Sequence, residues 1–423
     1  MQRALGTGTK NLLRQTRRRF AILAVLPLLS GCGLGHQLFG LGTDENDSLG
    51  QPATTAAVFG YAVADEPQAA LVARQILNEG GNAADAAAAE GFALAVTLPS
   101  RAGLGGGGAC VIKMPGSAAT TLLFPPGAPG APGAARPAAV PTMARGLLAL
   151  QAKYGTLPYP AVIVPAERLA GGVVVSPALA ADLQVVGPAL LTDPAAAAVF
   201  GTPSGAVLQA GANLSQPDLA ATLEILRTQG VAGFYNGAFA GQFVAAADEA
   251  GANLSVADLQ AGLPQFAPPI SSSNDGYDVA MLPTAPPSAA VLPASAGFAV
   301  VDKDGGAVAC ATTMNNLFGA GRIAAGTGVL LAASPRAVPT PDLAAGIASA
   351  NDRFRAAVTG TGQEGAAEAA SDAMEDVLHN QNTNVPDPGR ANVISCPGYV
   401  PGGEATCLAS ADPRLYGFAV GGR

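Results

Sequence analysis

Apolar positions between residues 65 and 99 recur at helical spacing in two runs, and the pattern predicts two helices. Asp65 is expected to cap the first, Pro67 suits its opening turn, and "EGGN" at 79–82 ends it. Asn82 is expected to cap the second, with Asp85 at the capping-box position, and Pro99 stops it. Thr142 then opens a helix whose Met143, Leu147, Leu150 and Tyr154 share one face, closed by Gly155 and Pro158. Another starts at Pro217, carries Leu219, Leu223 and Leu226 at helical spacing, and ends at Gly230. Phe239 and Phe243 lie on one face of the next, which ends at Gly251, and "SVAD" at 255–258 reads as a capping box. These faces are read as core.

Two stretches break the helical rhythm. The glycine run "GLGGGG" (103–108) leads into the apolar strand "ACVIKM"; it lets backbone approach either a ligand or another packed element. It is not a phosphate loop, since no Lys-Ser/Thr follows. Residues 124–141 form a Pro/Gly/Ala loop without packing periodicity. Residues 293–331 then read as a strand, an Asp304-Gly305 turn and a second strand running into a Gly-rich loop, with Ser295 just before the first strand. Beyond 338 the pattern gives an Ala-rich helical segment around 363–379 and an irregular tail. Helices, then strands, then helices predict layered packing around a mainly antiparallel sheet.

Composition narrows the chemistry. The net charge of −8 argues against a nucleic-acid partner, because nothing here would release phosphate counterions. His36 and His379 are the only histidines, which counts against a multi-His metal centre or a Ser-His-Asp triad, and no Cys/His spacing resembles a metal site. At the amino terminus Arg14 and Arg17–Arg19 precede the apolar run "FAILAVLPLL", too short to span a bilayer with ease. The run ends in "LSGC", which resembles the bacterial lipobox, and "TRRRFAI" loosely resembles a twin-arginine export signal. The alternative is an ordinary secretory signal with an incidental cysteine. The lipobox reading makes residues 1–31 a signal peptide, Cys32 the lipid-bearing first residue of the mature chain, and 32–57 a tether. The protein is then expected in the cell envelope, lipid-anchored on the periplasmic side of a bacterial membrane. Export allows a disulfide, expected between Cys396 and Cys407, whereas Cys110 and Cys310 in apolar strands are expected as buried free thiols.

Several stretches resemble the γ-glutamyltranspeptidases, in the same order along the chain. They are "LNEGGNAADAAAAEGFALAVTLPSRAGLGGGG", "ALQAKYGTLP", "QPDLAATLEILRTQGVAGFYNGAFAGQFVAAADEAGANLSVADL" and the closing "ASADPRLYGFAVGG". "GFAVVDKDGGAVACATTMNNLFGAGRIAAGTGVLL" resembles the start of that family's small subunit. The resemblance implies the α+β, four-layer αββα sandwich of the N-terminal-nucleophile hydrolases, with 58–294 large-subunit-like and 295–423 small-subunit-like. It implies a precursor that cuts its own chain before a threonine, which then serves as nucleophile and, through its α-amine, as base. The substrate would be a γ-glutamyl peptide or other small amide, and no cofactor is implied.

Matched backward from Asp302, Ser295 stands at the catalytic threonine, Ala296 at a second threonine and Gly297 at a histidine. Thr313 matches the threonine that supports the nucleophile, and Asn315 an asparagine that contacts the glutamyl end. Other elements depart. Pro125 and Pro126 stand where the family holds the glutamate carboxylate with an arginine, so a charge-assisted clamp is lost. "AASPRAV" (332–338) lacks the expected glutamine and aspartate, "PPSAA" (286–290) replaces Pro-Ser-Ser-Gly-Gly, and "TGTGQEG" (359–365) replaces the Gly-Gly oxyanion pair. Arg101 and Arg136 are the nearby candidates for a replacement clamp and are expected instead to be solvated surface charges. Two functions follow: an amidohydrolase that self-cleaves between Ala294 and Ser295, or a degenerate, non-catalytic envelope binding or structural protein on the same fold. A decayed or internally deleted copy is a third. The joint loss of several site elements favours the non-catalytic reading.

Overall fold

The structure, a computed structural model, describes residues 58–131, 133, 136–283, 294–362 and 365–422. The expected signal peptide, Cys32, the tether and "PPSAA" lie outside the described residues.

Strands alternate with helices along the first part of the chain. The strands are Gly60–Ala64 (β1), Gly107–Lys113 (β2), Thr120–Phe124 (β3), Val173–Val174 (β4), Asn213–Leu214 (β5), Gln265–Ala267 (β6), Ile270–Asn274 (β7) and Tyr277–Met281 (β8). The helices are Pro67–Asn78 (α1), Ala83–Thr97 (α2), Pro99–Ala102 (α3), Met143–Tyr154 (α4), Tyr159–Gly171 (α5), Pro177–Leu190 (α6), Pro194–Phe200 (α7), Pro217–Tyr235 (α8), Gly237–Glu249 (α9) and Val256–Ala261 (α10). After residue 294 come Ser295–Asp302 (β9), Ala307–Thr313 (β10), Ile323–Ala324 (β11), Val329–Leu330 (β12), Ala344–Ala350 (β13) and Arg353–Thr361 (β14). Ala366–Leu378 (α11), Arg390–Val400 (β15), Leu408–Ser410 (β16) and Phe418–Gly422 (β17) complete the chain.

Two antiparallel sheets stack face to face. The first has the order β17-β1-β9-β10-β2-β3-β6, the second β16-β15-β14-β13-β8-β7. Between them Tyr61, Val63, Val111, Ala299 and Val301 meet Ile347, Phe354, Ala357 and Ile394, which removes apolar surface of both sheets from water. Helices α1 and α2 cover the outer face of the first sheet, and α11 covers that of the second. This is the αββα sandwich, with helices on both outer faces. The first sheet interleaves strands from both sides of residue 294, since β1 lies between β17 and β9.

Local sequence explains most helix ends. Asn82 and Asp85 form the capping box of α2, and Ser255 and Asp258 that of α10. Two expectations at helix ends are corrected. Glu66, not Asp65, caps α1 by accepting from the Ala69 N–H, because Asp65 is drawn across to β9. Thr142 precedes α4 but its hydroxyl donates to the carbonyls of Phe124 and Gly106, so it ties the helix to β3 rather than capping it. Gly230 ends the first helical stretch of α8 as expected: its φ of +65° and ψ of −158° are non-helical, so Pro217–Tyr235 is two helices meeting at a kink there.

The tail after 338 is not irregular but supplies most of the second sheet, which periodicity missed. Strand β13 is "AAGIASA", small residues buried on both faces, so no apolar alternation marks it. The thiol expectation for Cys110 and Cys310 is likewise overturned. They are directly opposed in the β2–β10 register and form a disulfide across 200 residues of sequence. Cys396 and Cys407 are bonded as expected. The glycine run serves a packed element: a Cβ on Gly106 would overlap the Thr313 carbonyl, so a side chain there would push β10 away.

Candidate active site

Side chains alternate along a strand, so the inter-sheet positions of Ala299 and Val301 place Ser295 and Gly297 on the same face of β9. The intervening Phe298 turns the other way and reaches α2 at Gly91. Ser295 is the first residue of β9 rather than the residue before it, and it pairs with Thr313 at the end of β10. It is 1% exposed, and its Oγ is buried with no hydrogen-bond partner among the described residues. An unpartnered buried hydroxyl is costly, which makes it conspicuous at the position the sequence singled out.

The peptide that precedes Ser295 is held by a short relay. The Thr313 hydroxyl donates to the Ala294 carbonyl at 2.9 Å, and the Met314 N–H donates to the same oxygen at 3.3 Å. Thr313 in turn accepts from the Asn315 N–H at 2.8 Å, which fixes its hydroxyl as a donor toward Ala294. Asn315 has φ of +61°, a left-handed conformation that asparagine tolerates better than most residues. Its side-chain Nδ2 donates to the Ala333 carbonyl, while Oδ1 is buried and unpartnered among the described residues. Ser295, Thr313 and Asn315 are thus brought together in one corner of the sandwich.

Residues that the sequence reading did not connect to the site lie two positions further along β9. The Gly297 N–H donates to Asp65 Oδ2 at 2.9 Å, and the Gly297 carbonyl accepts from the Asp65 N–H at 3.1 Å. Asn392 on β15 reaches across from the second sheet, donating through Nδ2 to Asp65 Oδ1 at 2.6 Å and to the Gly297 carbonyl at 3.2 Å. Thr359 on β14 fills the space beside Gly297: a Cβ there would overlap the Thr359 hydroxyl, itself unpartnered among the described residues. Gly297, where the resemblance leads one to expect a histidine, is therefore closed over by the opposite sheet. The adjacent acids Asp65 and Glu66 at a strand-to-helix junction were the available signal, since one of them had to face something other than the helix end.

Burial shapes the electrostatics behind the site. It pushes the Asp65 carboxyl up to about 6 and the Glu66 carboxyl up to about 7. Glu90 on α2 is raised well above the usual carboxylate range by the same cause, and neither of its oxygens has a partner among the described residues.

The recognition side differs from the family pattern. Pro125 and Pro126 follow β3, and residues 332–334 are stitched by backbone bonds to Pro137, Ala139 and Met314 and by the Asn315 side chain. Arg101 is not a solvated charge: its guanidinium makes a two-pronged pair with Asp182, at 2.8 and 2.6 Å, and Ser100 donates to the same carboxylate. Arg136 is exposed. Two further guanidinium groups are also engaged. Arg145 donates to the Leu259 and Gly262 carbonyls over the Tyr235 ring, and Arg355 donates to Ser395, Asn380 and the Val377 carbonyl. Among the described residues no group of His, Cys, Asp and Glu is placed to hold a metal ion.

Comparison with known proteins bears on the family and the fold. The profile of the gamma-glutamyltranspeptidase family matches residues 69–296, more than half of the chain. The glutathione hydrolase proenzyme of Escherichia coli (strain K12) is 34% identical over 151 residues, 31% of this chain and 26% of that protein. The acylase ACY 1 proenzyme of Pseudomonas sp. (strain V22) is 33% identical over 184 residues, 38% of this chain and 33% of that protein. The matched part of the chain thus spans only about a quarter to a third of the length of these relatives. The cephalosporin acylase from Bacillus halodurans superposes with a TM-score of 0.71 at 19% identity, over 93% of this chain and 100% of that one, a likeness of fold. The start of β9, the sandwich that presents it and the matched profile lead to one assignment: this chain belongs to the gamma-glutamyltranspeptidase family.

Proposed function

We propose that the precursor cuts its own chain between Ala294 and Ser295, and that the freed Ser295 hydrolyses or transfers the acyl group of a small amide of the γ-glutamyl type. The observation that carries this reading is the Ala294 carbonyl, polarised by the Thr313 hydroxyl and the Met314 N–H beside the unpartnered Ser295 Oγ. In the first step Oγ adds to the Ala294 carbonyl carbon, and the two donors stabilise the developing oxyanion. The C–N bond then breaks, the Oγ proton ends on the departing Ser295 nitrogen, and an ester links residues 294 and 295. Water hydrolyses that ester, leaving a carboxylate on Ala294 and a free α-amine on Ser295. In the mature protein the α-amine takes the Oγ proton as Ser295 attacks a substrate amide, and the leaving amine receives it. Water or an acceptor amine then resolves the acyl-enzyme.

The same reading divides the chain into a 58–294 piece and a 295–423 piece of one αββα domain. "LSGC" supports export and a lipid anchor at Cys32, which would place the enzyme in the envelope. A second reading, a non-catalytic envelope binding or structural protein, is favoured by one observation: Arg101 is locked to Asp182, so it offers no replacement for the lost carboxylate clamp.

A denaturing gel of the mature chain beside Ser295→Ala separates the two. Two fragments from the parent and one band from the variant are expected, with release from a γ-glutamyl anilide only by the cleaved chain. An intact parent that releases nothing would sink the enzymatic reading.

A further inference from the structure

We infer that Asp65 is a positioning residue for self-cleavage, its carboxylate clasping the start of β9 to the second sheet through Gly297 and Asn392. The inference rests on the self-cleavage reading above. The last register pair of β1 with β9 is Ala64 with Phe298; beyond it the Asp65 N–H bonds the Gly297 carbonyl, and its carboxylate accepts from the Gly297 N–H. The other carboxylate oxygen accepts from Asn392, whose Oδ1 accepts from the Asp412 N–H at 3.1 Å. One buried side chain therefore joins β1, β9 and β15, two residues from the nucleophile. Ser295 lies at the very end of its strand, where a frayed start would separate Oγ from the carbonyl that Thr313 and Met314 hold.

Both groups that meet the carboxylate are donors, so the ionised form satisfies them, whereas protonation turns one oxygen into a weaker acceptor and adds an O–H that needs an acceptor of its own. Burial sets the titration near 6, within reach of physiological pH. Hydrogen bonds from Gly297 and Asn392 and the positive field of Arg101 oppose that rise, while Asp412 adds to it. Arg101 is itself paired with Asp182, and Asp412 with Arg414, so both charged neighbours are largely compensated. Glu66 is the remaining adjacent acid, and its Oε2 is taken up by the α1 cap.

The test follows conversion of the full chain into two fragments between about pH 5 and pH 8, in the parent and in Asp65→Asn. The parent is expected to slow as pH falls through about 6. Asn at 65 presents an NH2 to one of the donors at every pH, so that variant should be at least about tenfold slower at pH 8 and lack the inflection. Asn392→Ser, which cuts the clasp from the other sheet, should shift the rate in the same direction. A variant with the parent's rate and pH profile overturns the proposal.

Hydrogen exchange in the non-cleaving Ser295→Ala background reads the clasp separately. Asp65→Asn should lower protection about tenfold at the start of β9 and leave mid-β10 unchanged. Unchanged protection at β9 overturns the clasp whatever the cleavage result. A parent that never cleaves overturns the self-cleavage reading and the positioning role with it, even where the exchange result stands.

Discussion

The two sides of the β9 corner have fared differently. On the side proposed for processing, Ser295 pairs with Thr313, whose hydroxyl holds the Ala294 carbonyl. On the recognition side, prolines replace a clamp and the buried guanidinium groups serve the fold. The processing side is built from one strand pair whose register and backbone donors follow from the sheet itself. The recognition side depends on side chains carried by loops, which can change without disturbing the sandwich. On the proposed reading, chain cleavage and substrate choice should therefore be separable by mutation.

Arg101 offers the sharpest way to break that contrast. Its pair with Asp182 is nearly buried, at 12% and 4% side-chain exposure. Arg101→Met should leave an uncompensated carboxylate and destabilise the fold by roughly 3–5 kcal/mol in urea unfolding. Adding Asp182→Leu should recover most of that loss. If Arg101→Met unfolds like the parent and only weakens substrate binding, Arg101 belongs to the recognition side after all.

The next effect lies on the processing side. Thr313→Val keeps shape but removes the hydroxyl that meets the Ala294 carbonyl, and cleavage should slow by about 10²–10³-fold. Thr313→Ser keeps the donor and should stay within about tenfold of the parent. Time-resolved gels measure both, and equal rates for Val and Ser would remove the relay from the mechanism.

How much of this was legible depended on whether the information was local. The β9–β10 hairpin showed itself through contiguous apolar runs and Asp304-Gly305, and capping boxes at Asn82 and Ser255 read directly from adjacent residues. Strands β13 and β14 did not, because runs of small residues buried on both faces carry no period. The Cys110–Cys310 bond depends on a register set by strands 200 residues apart. Ser295 could be located, but Asp65, Thr359 and Asn392, which meet Gly297 two residues further on, arrive from distant strands and loops. Only tertiary packing tells a helix cap from an inter-sheet clasp.

Glu90 tests the layer that backs the processing side. Its carboxyl is raised in the fold by burial, so the native state holds a proton that the unfolded chain gives up above its ordinary value of 4.5. The stability tied to the neutral form is complete below that pH and is lost as pH rises toward the folded value. Glu90→Gln mimics the neutral acid without that loss. The variant should melt about 2–4 °C above the parent at pH 8 and together with it at pH 4. A gain of equal size at both pH values would mean that packing, not ionisation, limits this helix.

The smallest effect should fall on the recognition side alone. Asp258 completes the α10 capping box with Ser255, and its Oδ1 accepts from the Gly130 N–H at 2.7 Å in the 124–141 loop. It therefore fastens the loop that stands in place of the family's clamp, away from the β9–β10 pair. Asp258→Ala should cost about 1 kcal/mol of stability, the usual worth of a cap. It should raise KM for any amide substrate while leaving the rate of chain cleavage within about twofold of the parent. Because this change frees the loop without touching Ser295, Thr313 or Asp65, a parallel loss of cleavage would show that the two sides are mechanically one.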